Sequence, residues 1–183
     1  MKKNICIILL LVLAVLAVCI WIAIKNRKPD GQKHIEVGTL LEFAYSPGYG
    51  DMNGASHYEK LCRNDGGEWI IISRNRESFD EPLIETTYAV SAEAAADFEA
   101  FLREKDIVSL SDRPDSTDFI TDYSPWGYNL YFDNSSLGGN KRERYGIEEY
   151  KVYSERDCAL LKELNQAFRD LRGDVLSEVG ETD

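Results

Sequence analysis

Reactive side chains are scarce in this sequence. It holds two histidines, His34 and His57, and four cysteines, of which Cys6 and Cys19 lie inside a single apolar run. No His-x-x-x-His or Cys-x-x-Cys spacing occurs, so the usual ways of presenting zinc ligands are missing. The Gly-x-Ser-x-Gly elbow of esterases, the phosphate-binding Walker loop and the dinucleotide glycine fingerprint are missing as well. No catalytic residue, metal ligand or cofactor is therefore assigned. Paired carboxylates remain open as a rival chemistry, because the chain carries 32 acidic residues and proximity in space is invisible in sequence.

Basic residues are also in short supply beyond the first segment. Five of the 21 lysines and arginines lie in residues 1–28, which contain no acid, leaving residues 29–183 with 16 basic against 32 acidic side chains and a net charge of −16. Such a surface repels phosphodiester backbones, which argues against a nucleic-acid partner. It suits a solvated face, cationic ligands or divalent ions.

What the chain has in abundance comes first. Residues 5–24 are apolar without interruption, 20 in succession. At about 1.5 Å per helical residue they reach roughly 30 Å, the thickness of a hydrocarbon core. A secretory signal would have a shorter apolar centre and a small-x-small cleavage site. The expected reading is a transmembrane helix over 5–24 with the lipid bilayer as its partner, Trp21 near the headgroup boundary and Lys25, Arg27 and Lys28 holding the end in the interface. Cys19 raises an alternative, lipidation after cleavage. A lipid-modified cysteine needs a small residue before it, whereas Val18 is β-branched and the apolar run continues past Cys19, so an unmodified Cys19 is favoured.

Flanking charge barely distinguishes the two orientations. Long domains translocate largely regardless of flanking charge, and Met-Lys-Lys ahead of an apolar core is a common start for an exported bacterial chain. The expected order is a cytosolic tail (1–4), the span (5–24), a linker broken by Pro29 and Gly31 (25–34), an acidic domain outside the cytoplasm (35–173) and a frayed tail (174–183).

Within the domain, dense β-favouring residues predict a strand over 35–45, followed by the loop "SPGYGDMNG". Runs at 57–63 and 68–74 flank "NDGG", whose Asp-Gly and Gly-Gly steps predict a tight hairpin. In the second run Trp69 and Ile71 face one way and Ile70 and Ile72 the other, predicting a strand covered on both faces. Another strand is expected at 84–90. Ser91 is placed to cap a helix over 92–105, with Ala94, Phe98, Phe101 and Leu102 at helical spacing. Residues 127–134 alternate as a strand, and 144–153 read as a further one. Ser154 and Asp157 have capping-box spacing ahead of the stripe Leu160, Leu161, Leu164, Phe168 and Leu171. The fold class that follows is α+β: after the N-terminal transmembrane helix, one antiparallel sheet of five to six strands covered by two helices.

Two stretches echo one another, "YSPGYG" at 45–50 and "YSPWGY" at 123–128. Aromatic rings on rigid turns can stack on sugars or peptide groups, making Tyr45, Tyr49, Trp126 and Tyr128 the candidate binding residues for an envelope glycan or protein. The simpler reading is that tyrosines suit strand ends. Asp112, Asp115, Asp118 and Asp122 share one loop, but their spacing is not that of a calcium-binding EF-hand, so a solvated acidic loop is expected. Cys62 and Cys158 would form one disulfide in an oxidising compartment; as separate thiols they would act as small apolar residues, which is the preferred reading.

The order "LEFAYSPGYGDMNG", a hairpin around "DGGEW", a helix, a loop ending in "SPWGYNLYFDN" and a closing helix resembles small uncharacterised domains on membrane-anchored proteins of Gram-positive bacteria. The resemblance covers most of residues 38–172 and rests on aromatic-glycine turns rather than on a reactive group. It implies an envelope location, no assigned activity and no site residues. The expected function is a non-catalytic, single-span binding or spacer module at the cell envelope. The alternatives are a carboxylate-dependent hydrolase of envelope material and a cytoplasmic-facing domain that binds a basic partner.

Overall fold

The computed structural model describes residues 33–48, 55–78, 80–117 and 125–181. The apolar run 5–24 and Cys19 lie outside these residues. Among the described residues, no helix is long and apolar enough to cross a membrane.

The strands are β1 (Thr39–Ser46), β2 (Ser56–Arg63), β3 (Trp69–Arg76), β4 (Leu83–Ala89), β5 (Gly127–Asp133), β6 (Glu143–Glu148) and β7 (Val175–Glu181). They form one sheet in the order β6-β5-β1-β2-β3-β4-β7, every neighbouring pair antiparallel. Two helices, α1 (Ala92–Glu104) and α2 (Glu155–Arg169), and a short 3-10 turn (Ile107–Asp112) complete the frame.

The local signals act as their chemistry requires. Asn64 closes the β2–β3 hairpin: its carbonyl accepts from Gly67 N at 2.9 Å and its side chain from Glu68 N at 3.0 Å, while Gly67 takes the positive φ of 82° that a side chain would resist. Ser91 accepts from Ala94 N to start α1, and Ser154 and Asp157 form a reciprocal capping box at α2.

The sheet has seven strands, not the five to six expected, and the seventh lies where a frayed tail was predicted. β7 lacks strict alternation in sequence and exists because β4 offers an unpaired edge, along which Leu83 to Tyr88 pair with Glu181 to Val175. The strand expected over 144–153 ends at Glu148, where the chain turns; Tyr153 O–H then donates to Glu148 O at 2.9 Å.

Both helices pack on one face. Phe43 on β1 meets Phe98 of α1 edge to face at 5.1 Å and Phe168 of α2 at 4.7 Å, and around this trio lie the buried Leu40, Leu61, Ile71, Leu130, Phe132 and Ile147. β3 was expected to be covered on both faces; Ile70 on the second face is buried, but both helices lie on the first. Trp69 and Ile71 point to the helices, whereas Ile70 and Ile72 point to the other face, beside their register partners Cys62, Lys60, Ala89 and Thr87. An antiparallel sheet tolerates this because long side chains on its own strands shield the second face.

Candidate functional site

Alternation along β2 turns His57, Glu59 and Leu61 toward the helices. Leu61 belongs to the core, and Glu59, 2% exposed, continues the same row with a carboxylate. A buried charge of this kind survives only with partners. The β2–β3 register supplies Ser73, opposite Glu59, and β2 itself supplies His57, two residues before it with Asn75 opposite. A third comes from the chain after α2, where Leu171 is buried and Arg172 reaches back over the sheet.

All three donors meet one oxygen. Ser73 Oγ–H donates to Glu59 Oε1 at 3.3 Å, His57 Nε2 lies 3.0 Å from the same atom, and Arg172 Nη2 donates to it as well. The other imidazole nitrogen, Nδ1, lies 3.4 Å from Asn75 Oδ1, and the Arg172 guanidinium sits 5.4 Å from the Tyr88 ring centroid. Burial pushes the Glu59 carboxyl upward, but His57 and Arg172 together outweigh it and hold the group below the usual carboxylate range. The bond to Glu59 raises His57 above the ordinary imidazole value despite its partial burial.

Tyr45 joins this polar cluster to an aromatic row. It is the β1 partner of Glu59 on one side and of Tyr128 on the other, and it stacks on Tyr128 with centroids 4.8 Å apart. Trp126 meets Tyr128 at 5.9 Å and Tyr153 at 5.8 Å. Burial raises the Tyr45 hydroxyl pKa, against a bond from Asn165 and the charge of Arg169 on α2. Tyr128 is buried and its hydroxyl is pushed far up by desolvation.

Three of the four predicted binding residues, Tyr45, Trp126 and Tyr128, therefore come together at one end of the sheet; Tyr49 lies outside the described residues. Tyr128 lies in the core itself, and Tyr45 and Trp126 are half-buried against it. Cys62 and Cys158 are free thiols. Cys62 follows Leu61 on β2 and so faces away from the helices, while Cys158 is exposed on α2, on the other side of the sheet, so the disulfide is not formed.

The Glu59 cluster was missed in sequence. Its signal was an acid two residues before an inward-facing leucine on a β run, and its cation, Arg172, is 113 positions away. Ser73 donates its hydrogen bond to a carboxylate rather than to an imidazole, so the cluster lacks the serine–histidine contact of a serine triad. Among the described residues no group of three or more His, Cys, Asp or Glu side chains is arranged to hold a metal ion. No family model matches the chain, and neither a curated protein nor a solved structure matches it.

Proposed function

We propose that this chain is a non-catalytic binding or spacer module, tethered to the cell membrane by its apolar run 5–24 and displayed outside the cytoplasm. The observation that carries the reading is how the domain spends its charge. Glu59 is neutralised by Arg172 and His57, Asp157 by Arg113, Glu42 by Arg142, Glu85 by Arg74 and Glu148 by Arg144. A carboxylate hydrolase needs two acids converging with their affinities for protons pushed apart. Here these acids each face a cation, which favours a stable acidic frame over an acid-base pair. The tether rests on the length of the apolar run, which equals a hydrocarbon core.

Intact cells producing the full chain with a C-terminal epitope test both parts. The epitope is expected in the membrane fraction and is expected to be removed by protease added outside. An epitope in the soluble fraction, or one protected from the protease, overturns the placement. Hydrolysis of cell-wall glycan or peptide that disappears in Glu59→Gln at unchanged melting temperature overturns the non-catalytic reading.

A further inference from the structure

The two edges of the sheet are finished differently. At β6 the 3-10 turn packs alongside, Arg144 and Glu148 charge the strand, and the chain beyond it is bridged by residues 114–116, with Val152 N donating to Pro114 O at 2.8 Å. At β7, the last strand in the sheet order, no further strand pairs with the far edge among the described residues. Its sequence, VLSEVGE, holds neither lysine nor proline, the residues that commonly blunt an exposed edge. Val175, Leu176 and Val179 are each more than half exposed, at 57%, 58% and 55%.

Leu176 also forms one wall of a concavity of about 440 Å³ whose other walls include Trp69, Ile70, Ala89 and Val90. Arg63 stands at its rim, its guanidinium 4.4 Å from the Trp69 ring centroid. An unpaired backbone edge beside an apolar pocket is the arrangement by which sheets bind extended peptides: the ladder supplies main-chain bonds and the pocket takes one anchoring side chain.

Resting on the binding-module reading above, we propose that β7 accepts an extended basic strand from another protein, added antiparallel to the sheet, with an apolar or aromatic side chain seated in the Leu176–Trp69 concavity. Charge selects this occupant. Asp174 and Glu178 flank the exposed valines, and residues 29–183 carry a net −16, so a second copy would set one acidic edge against another, whereas lysines or arginines would be attracted. The pocket adjoins the start of β7. In an antiparallel addition the basic residue facing Glu178 therefore precedes the apolar anchor in the bound peptide.

The test uses the full-length chain in detergent and a fluorescent synthetic peptide that alternates lysine with valine and ends in phenylalanine. Saturable anisotropy is expected, lost when alternate peptide nitrogens are methylated and weakened at least about tenfold by Glu178→Lys. No binding, or binding indifferent to N-methylation, overturns the strand addition. A dimer in sedimentation that Val179→Lys dissociates, and with which the peptide does not compete, makes a second copy the occupant and overturns it too. None of these results bears on the epitope's position at the membrane, so the two readings fail separately.

Discussion

Tyr45 and Tyr128 stack across β1 and β5, with centroids 4.8 Å apart and planes 17° from parallel. This contact explains the echo between "YSPGYG" and "YSPWGY". The first stretch begins at the end of β1 and the second runs into the start of β5 at the same end of the sheet, so Tyr45 and Tyr128 each supply one ring of a cross-strand pair.

If these rings are structural, truncating them destabilises the domain. Tyr128→Ala is expected to cost about 3 kcal/mol, as large-to-small core changes do, and Trp126→Ala about 2 kcal/mol because its ring is only partly buried. Urea unfolding measures both. An unchanged midpoint for Trp126→Ala would free that ring for recognition.

The Glu59 cluster predicts a bell-shaped dependence of stability on pH. His57 is raised in the folded state, so its contribution is complete below about pH 6.5, its ordinary value, and is lost as the pH rises through the higher folded value. Glu59 is lowered, so its contribution is complete above about pH 4.5 and is lost as the pH falls through the lower folded value. Melting temperature should therefore be highest between these limits, and His57→Ala should flatten the alkaline limb while leaving an acid limb.

Arg113 and Asp157 form a two-bond pair, Nε to Oδ2 at 2.8 Å and Nη2 to Oδ1 at 2.6 Å, with both side chains largely buried. Asp157 also belongs to the α2 capping box, so the pair ties the loop after the 3-10 turn to the start of the helix. Arg113→Ala leaves a buried carboxylate without its cation and is expected to cost about 3 kcal/mol. Arg113→Lys should recover only part of this, since an ammonium lacks the planar fork. Calorimetry on both variants distinguishes a two-bond pair from a simple charge.

Gly38 precedes β1 where the chain presses against the end of β5. A Cβ there would stand 1.8 Å from Asp133 O, while Gly38 N donates to Asn134 Oδ1 at 2.7 Å. Gly38→Ala must displace backbone and is expected to cost about 2 kcal/mol or more. Thermal unfolding unchanged from the parent would show that the strand end yields freely.

Hydrogen exchange tests the seventh strand. Amides of β7 that donate to β4 should exchange slowly, and those facing the free edge quickly, in alternation. Uniformly fast exchange across 175–181 would restore the frayed tail.

By itself the sequence determined what rests on neighbours within about four positions. Ser91 and the Ser154–Asp157 box start their helices, "NDGG" turns the hairpin, and Tyr128, Leu130 and Phe132 alternate into the core, because capping, turn geometry and side-chain direction are short-range effects. Tertiary structure alone decided the rest. Seven residues with little β pattern became β7 because β4 had an edge to share, and Ile70 and Ile72 lie away from the helices because both helices chose the other side. Glu59 could be buried only because Arg172 arrives from beyond the last helix, 113 residues later. Pairing across such distances depends on where whole strands and helices come to lie, and no local period in the chain encodes it.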